Sequence, residues 1–443
     1  MQRSINNFIA PDKLDQLARE NGFLQRRSKF KPGEFIDTMM FSWFDHSQLS
    51  LQECCNDLAQ QHHKQLSKVG LHKRFNQKSL KFLKAALAEQ MRLKMNIGPT
   101  DNWGPFSRVL IADSCKFALP ECYKDAYPGF GGSRSKSLLG IQYAFDLKNG
   151  NWENFEFVKG TKSDTGYSNS TLERIKSGDL CIRDLGYITH DYLKKVADEK
   201  AFFLNRLHPK WKVVQSDTGK IIDWKALYDR MTAGKIPYSE ITVTIGRDEK
   251  ASNCRLITVI VPEKVWSERI RKAQERAKTH GAALSEEYKL RCRFSTYITN
   301  VESKILKAED VIQLYRLRWQ IELVFKSWKS LVVIHKIKAV KQYRFECQLI
   351  AKFIWVLLNW KIFRYIENYI QKHSPNHACS WWKFLKQARQ HSHALRIVIR
   401  SRSCILLWCE IFIFPILKHL LIEPQKGKTA GYLTVSQIFN PLS

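Results

Sequence analysis

The spacing of hydrophobic and polar positions divides the chain into a helical beginning, a strand-rich centre and a helical end. Residues 1–100 favour helices and contain no convincing strand alternation. Ser50 and Ser67 each stand where a short helix would begin, and the second helix carries Lys68, His72, Lys73 and Arg74. This pattern is compatible with a helix-turn-helix DNA-binding domain over residues 1–100, and also with an ordinary helical hairpin.

Short apolar runs replace the helical pattern between residues 101 and 208. Three runs typical of strands, SRVLIADS, LLGIQYAFDL and WENFEFVKG, come first. A helical segment near residues 168–176, the run LCIRDLGY, a helix over residues 190–199 and the strand AFFLNRL follow. This order is typical of a ribonuclease H-like mixed sheet, so we expect an α/β fold whose core begins with residues 101–208.

Two aspartates fall at related places in the expected sheet. Asp113 ends the first run and Asp184 directly follows the fourth, so the two would be neighbours. Asp146 and Asp164 are two further aspartates in the same part of the chain. However, Asp146 leads into a Lys-Asn-Gly turn and Asp164 opens a helix, so ordinary turn and cap duties explain them. Asp113 and Asp184 therefore remain as the two aspartates at strand ends.

The stretch between Asp184 and Glu322 is far longer than a compact sheet needs, which predicts an insertion. We expect a mostly β subdomain over residues 209–303, because EITVTIGR, CRLITVIVP and RCRFSTYITNV are typical of strands, with a basic helix over residues 263–280. Residues 304–370 would complete the core with a long apolar helix, and residues 371–443 would form a helical C-terminal region with a loose tail from residue 424.

One helical segment, YRLRWQIELVFKSWK, combines an apolar face with an unusual polar face. On an ideal helix Tyr315, Arg318, Glu322 and Lys329 fall within about 60° of one another, and Lys326 lies beside them. A carboxylate among cations suits a metal-binding acid placed where phosphates arrive, with the arginine gripping them. Ordinary salt bridges along a basic helix would give the same pattern.

The charge balance points to a polyanionic partner. The chain has 443 residues with 72 Lys and Arg against 42 Asp and Glu, a net charge of +30, and 44% hydrophobic residues. A folded, strongly basic protein of this kind favours nucleic acid ahead of a membrane surface. The eleven cysteines show no spacing typical of a zinc site or a disulfide framework, and no secretory signal or membrane span is evident. We therefore expect a cytoplasmic protein with reduced thiols.

The spacing Tyr315-x2-Arg318-x3-Glu322-x6-Lys329 resembles the Tyr-Arg-Glu-Lys motif of the insertion-sequence-four family of bacterial DDE transposases. The flanking sequence RWQIELVFKSWKSL and the residues around Asp113 and Asp184, including DLGY, are also similar to that family. The resemblance covers roughly residues 107–206 and 306–363. It implies a transposase whose catalytic, metal-binding triad is Asp113, Asp184 and Glu322.

In the chemistry that this resemblance implies, two Mg2+ ions about 4 Å apart stabilise an in-line displacement at phosphorus, and Mn2+ can substitute. We expect Asp113 to bridge the ions, Asp184 to hold one and Glu322 the other. Tyr315, Arg318 and Lys329 would position DNA phosphates, and Lys326 is added as a DNA-binding residue. The implied reaction is cut-and-paste transposition through a hairpin at the terminal inverted repeats of double-stranded DNA, within a homodimeric synaptic complex.

Two other functions fit the same residues. One is a catalytically inactive DNA-binding protein derived from a transposase, and the other is a structure-selective nuclease that cuts branched DNA whatever its end sequence. In some members of the family a tryptophan of the insertion stacks on a flipped base. Trp211, Trp224 and Trp266 are available for this, and core packing is the alternative for each.

Overall fold

The computed structural model of the chain describes residues 10–26, 30–43, 50–93, 103–131, 135–246, 248–279, 281, 283–374, 377–423 and 438. These residues form one mixed sheet flanked by helices, with helical regions at both ends of the chain. The strands of the described residues are β1 (Arg108–Ala118), β2 (Leu138–Asp146), β3 (Asn151–Lys159), β4 (Asp179–Arg183), β5 (Phe202–Arg206), β6 (Val214–Gln215), β7 (Ser239–Ile245), β8 (Ser252–Ile260) and β9 (Phe294–Thr299). The α/β class expected from the sequence is confirmed.

The order of the strands is β3-β2-β1-β4-β5-β9-β8-β7-β6. Strands β1, β2 and β3 are antiparallel neighbours, whereas β4 runs parallel to β1 and β5 runs parallel to β4. Parallel neighbours need a crossover between them. Helix α6 (Asp164–Ser170) lies between β3 and β4 in the chain, and helix α7 (His190–Asp198) lies between β4 and β5.

The insertion, for which we expected a mostly β subdomain, contributes both strands and helices. Its strands extend the core sheet, because β9 pairs with β5 on one side and with β8 on the other. Its described residues also form the helices α8 (Trp224–Ala233), α9 (Glu263–Thr279) and α10 (Glu286–Arg291). The free edge of β5 explains this extension, since unpaired backbone groups of an edge strand are satisfied when another strand is added.

The N-terminal region is helical, as predicted, but packs into the main core. Its described helices are α1 (Pro11–Glu20), α2 (Pro32–Phe41), α3 (Leu51–His62), α4 (Lys68–Arg74) and α5 (Gln77–Arg92). The hydroxyls of Ser50 and Ser67 accept hydrogen bonds from the first turns of α3 and α4, as expected of caps. The apolar side chains of these helices belong to the same hydrophobic cluster as the sheet and the C-terminal helices. A role of α3 and α4 in DNA recognition stays a prediction.

The regular elements that the structure describes after β9 are helices. It comprises α11 (Ala308–Arg316), α12 (Gln320–Ser330), α13 (Gln342–His373), α14 (Trp381–Gln390), α15 (Ser392–Arg400), α16 (Ile405–Phe412) and α17 (Leu417–Leu420). Helix α13 is buried along most of its 32 residues, so helices from both ends of the chain pack around it. Apart from Ile438, the predicted loose tail from residue 424 lies outside the described residues.

A buried ion-pair cluster joins the two ends of the chain. Arg396 on α15 is 1% exposed and donates to Asp37 on α2 and to Asp57 on α3. His62 lies 2.7 Å from the same Asp37 carboxylate. All eleven cysteines are free, and all except Cys122 and Cys404 are buried. Within the described part of the chain, no helix is long and apolar enough to cross a membrane.

Candidate active site

The sheet brings Asp113 and Asp184 to neighbouring positions. The parallel pairing of β1 with β4 ends at Ala112 opposite Arg183, and the two aspartates are the next residues on each chain segment. Asp184 then leads into a tight turn over Leu185–Tyr187. The prediction that the first strand ends at Asp113 is wrong, because its antiparallel pairing with β2 continues to Ala118. Asp113 therefore lies where β1 loses one of its two neighbours.

The segment that carries Glu322 is anchored on the same sheet. We predicted one regular helix, but a turn of 3-10 helix over Leu317–Trp319 separates α11 from α12. Ile321 and Phe325 are buried, and Trp328 is fully buried against the ring of Tyr143, whose centroid is 5.0 Å away. Tyr143 is the residue opposite Asp113 on β2, so α12 packs on the face of the sheet to which Asp113 points.

A single guanidinium contacts all three predicted acids. Arg318 Nη2 donates to Glu322 Oε1 at 2.8 Å, and Nη1 donates to Asp113 Oδ2 at 3.3 Å. Arg318 Nε lies 3.9 Å from Asp184 Oδ1. The hydroxyl of Tyr315 donates to the same Asp184 oxygen at 3.3 Å. Tyr315, Arg318, Glu322 and both aspartates therefore form one cluster.

The two lysines of the predicted polar face lie away from the centre of this cluster. Lys329 Nζ donates to the backbone carbonyl of Lys116 on β1 at 3.2 Å. Lys326 Nζ lies 5.6 Å from the ring centroid of Trp382, at the edge of an apolar pocket of about 490 Å³. Glu322, Lys326 and Lys329 all lie on the regular helix α12, so the tighter turn at Leu317–Trp319 changes the phase of Tyr315 and Arg318 relative to these three residues.

Burial and charge act together on the ionisable groups of the cluster. Burial raises the pKa of Asp113 to about 6, although the backbone N–H of Ser114 and the charge of Arg318 act in the opposite direction. Burial and then the charge of Asp184 raise the pKa of Tyr315 above its ordinary value. Burial alone would lower the pKa of Arg318, but Asp184 and the hydrogen bond to Glu322 raise it overall. Arg318 therefore stays a cation among the acids.

The sequence did not predict the contacts that Asp164 makes beside this cluster. Helix α6 begins at Asp164, earlier than the predicted segment, and Ser163 provides the cap by accepting from the Gly166 N–H. The Asp164 carboxylate accepts from the Ser114 hydroxyl at 2.9 Å and lies 3.7 Å from Lys116 Nζ. The explanation of Asp164 by cap duty is therefore wrong. Asp146 does have the turn role that the sequence predicted, since its carboxylate accepts from the backbone N–H of Lys148.

Each tryptophan of the insertion has a contact within the protein. Trp224 is 5% exposed and packs in a hydrophobic cluster that the insertion shares with β4, α7 and β5. The indole of Trp266 donates to the Lys289 carbonyl and lies under the Arg293 guanidinium, and Trp211 packs against the ring of His190. A role of one of them in base stacking stays a prediction.

The donor set of the cluster suits a hard divalent cation. Asp113, Asp184 and Glu322 supply only carboxylate oxygens, which Mg2+ and Mn2+ prefer to nitrogen or sulfur. All three surround one point of positive charge, the Arg318 guanidinium. In the described ranges no three His, Cys, Asp or Glu side chains lie close enough together to hold one ion as they stand.

Comparison with known proteins assigns the family. The family model described as "Transposase DDE domain" matches residues 104–358, a range that includes all three acids. The chain belongs to the DDE transposases of the insertion-sequence-four family, enzymes that act on DNA and depend on divalent metal. It is 31% identical over 375 residues to the transposase for insertion sequence element IS231F of Bacillus thuringiensis subsp. israelensis, covering 80% of this chain and 78% of the relative.

Other relatives come from further bacteria. The transposase for insertion sequence element IS1151 of Clostridium perfringens is 31% identical over 379 residues, covering 81% of this chain and 79% of the relative. The transposase for insertion sequence element IS421 of Escherichia coli is 26% identical over 342 residues, covering 74% and 84%. The similarity therefore extends well beyond the family domain.

Proposed function

We propose that the protein is a cut-and-paste transposase that excises an insertion sequence at its terminal inverted repeats and joins it to target DNA. The observation that carries this proposal is the gathering of Asp113, Asp184 and Glu322 around Arg318. In the proposed reaction, water hydrolyses one strand at the end of the element, and the freed 3′-OH attacks the opposite strand, which forms a hairpin and releases the flanking DNA. A second water hydrolyses the hairpin, and the regenerated 3′-OH attacks a target phosphodiester and displaces a target 3′-OH. The catalytic domain is of the ribonuclease H-like class, which the 3-2-1-4-5 order of the first five strands supports.

Asp113, Asp184 and Glu322 would hold two Mg2+ ions, with Mn2+ as a substitute. When bound, the ions stabilise negative charge on the attacking and leaving oxygens of the phosphorus centre. The chain supplies the geometry, since β1, β4 and α12 fix the three acids on rigid elements. Asp113, the most buried of the three, is 20% exposed at its side chain, whereas Asp184 and Glu322 are 45% and 41% exposed.

Arg318 has two kinds of partner in this proposal. Without DNA it neutralises the acids, and with DNA its planar guanidinium grips a phosphate near the cut in bidentate fashion. Tyr315 holds Asp184 through its hydroxyl. Lys329 adds positive charge beside β1, and Lys326 meets the DNA further along α12. The net charge of +30 favours binding of two DNA segments, the element's end and the target. A homodimer would hold two such ends in the synaptic complex.

The test is cleavage of a labelled duplex carrying the inverted repeat that flanks this gene, with and without Mg2+. Wild type should cut at the repeat boundary only with metal and should yield a hairpin. Glu322→Gln should bind the duplex with unchanged affinity and leave it intact, because the amide removes a metal-binding oxygen while keeping the shape. Glu309→Gln, on the preceding helix, is the matched control.

Three outcomes would contradict the proposal. Tight binding without cutting by wild type would identify a DNA-binding protein that has lost its chemistry. Equal cutting by wild type and Glu322→Gln would show that Glu322 is not a catalytic acid. Metal-dependent cutting of branched DNA regardless of its end sequence would identify a structure-selective nuclease.

A further inference from the structure

Behind the two aspartates, a polar network connects the strand that carries one to the turn that follows the other. Ser114 follows Asp113 on β1 and therefore points to the opposite face of the sheet. On that face the Ser114 hydroxyl donates to Asp164 Oδ1 at 2.9 Å. The side-chain amide of Gln142, the residue opposite Ser114 on β2, lies 3.4 Å from the same oxygen. Asp164 therefore joins β1 to β2 through side chains.

The network continues to the turn that follows Asp184. The hydroxyl of Tyr187 donates to Gln142 Oε1 at 3.0 Å, and both residues are almost completely buried, at 1% and 0% exposure. Thr165, the residue after Asp164, donates to the carbonyl of Gly186 at 3.0 Å. A Cβ atom at Gly186 would lie 3.7 Å from Asp164 Oδ2, so the turn packs directly against this carboxylate.

We propose that Asp164 is a positioning residue that sets the separation of Asp113 and Asp184. On β1 it contacts Ser114, the residue after Asp113. It also contacts Gln142, which Tyr187 holds, and it packs against the turn at Gly186, which follows Asp184. This inference rests on the proposed function, because it takes the two aspartates as acids that must hold metal at a defined spacing. Residues that orient metal ligands in this way commonly change metal affinity by roughly 10–100-fold when removed.

The arrangement argues against Asp164 as a metal-binding acid itself. Its partners Ser114 and Gln142 lie on the face of the sheet opposite to Asp113, whereas Glu322 and Arg318 lie on the face of Asp113. The Asp164 oxygen that accepts from Ser114 is also near Lys116 Nζ, at 3.7 Å. An asparagine at this position could still accept from Ser114, while an alanine could not.

The experiment measures Mn2+ binding to the full-length protein without DNA, by electron paramagnetic resonance of the free ion. Asp164→Ala should weaken Mn2+ binding by about tenfold, and Asp164→Asn should stay within about threefold of wild type because it keeps the acceptor. Tyr187→Phe should shift the affinity in the same direction as Asp164→Ala but less. Asp229→Ala, which removes an exposed aspartate paired with Lys225, is the control and should match wild type. Circular dichroism establishes that each variant is folded.

Cleavage gives a second readout. For Asp164→Ala the Mn2+ concentration at half-maximal rate should rise about tenfold, while the rate at saturating Mn2+ should stay within about threefold of wild type. The inference is overturned if Asp164→Ala binds Mn2+ as the control does. It is also overturned if Asp164→Asn loses binding as fully as Asp113→Asn, because Asp164 would then be a ligand. Failure of the proposed function looks different: Asp113→Asn would bind Mn2+ no more weakly than wild type.

Discussion

Arg318 and Glu322 form an ion pair one helical turn apart, with Arg318 Nη2 2.8 Å from Glu322 Oε1. A pair at this spacing is ordinary on an exposed helix and contributes little. Here the same guanidinium also contacts Asp113 and Asp184, and its side chain is 13% exposed. The pair is therefore part of a site in which a protein cation holds together three acids that would otherwise repel one another.

Arg318→Ala should increase the affinity for Mn2+ in the absence of DNA, because it removes the cation that competes for the three carboxylates. We expect a gain of about tenfold, equivalent to about 1.4 kcal/mol, measured by isothermal titration calorimetry. Cleavage by the same variant should fall, since the phosphate loses its bidentate partner. Arg316→Ala, an exposed arginine at the end of α11, should leave both quantities unchanged. Weaker Mn2+ binding by Arg318→Ala would mean that the guanidinium organises the acids and does not compete with metal.

Asp113→Asn and Glu322→Gln should each reduce cleavage to the background rate, and the double variant should be no worse than either. Residues that act as one unit show this non-additivity, whereas independent contributions would multiply. Single-turnover cleavage in Mg2+ measures the rates, and a gel-shift titration checks that DNA binding persists. A double variant slower by the product of the two single effects would show that the acids work separately.

Removal of Arg396 should destabilise the protein strongly, because Asp37 and Asp57 would lose the cation that both contact across the two ends of the chain. Breaking a buried ion pair on one side costs about 3–5 kcal/mol, so Arg396→Met should lower the free energy of unfolding by that order. Urea denaturation followed by tryptophan fluorescence measures it. Lys386→Met, an exposed position on helix α14, should change it by less than about 1 kcal/mol. Similar values for the two variants would mean that the cluster does not hold the ends together.

The free energy of unfolding should depend on pH through the protonation of Lys361, whose ammonium donates to the carbonyls of Gln90 and Leu93. Burial lowers the pKa of Lys361 from 10.5 to about 8. Lys361 stays protonated to higher pH in the unfolded chain than in the folded protein. The free energy of unfolding should therefore rise by up to roughly 3 kcal/mol as the pH increases from about 8 to 10.5. The free energy of unfolding of Lys361→Met should lack this part of the rise. Lys372→Met, exposed on the same helix, should retain it.

The sequence by itself determined the α/β class of the fold and predicted Asp113, Asp184 and Glu322 as the acids of the site. Strand alternation placed Asp113 on β1 and Asp184 after β4, and the helical spacing placed Tyr315, Arg318 and Glu322 near one another. These are local patterns, in which the periodicity of a strand or helix fixes which side chains share a face. The caps at Ser50 and Ser67 and the helix α9 were also read correctly for this reason.

Only the tertiary structure decided which partner each of these side chains meets. The contact of one guanidinium with three acids joins residues more than 200 positions apart, as Arg318 and Asp113 are. Likewise, Lys326 packs on Trp382, the strands of the insertion extend the core sheet, and Asp164 faces Ser114 instead of capping its helix. The physical reason is that strand pairing and side-chain packing between distant segments depend on which surfaces meet in the fold, whereas spacing along the chain specifies only the faces that each element offers.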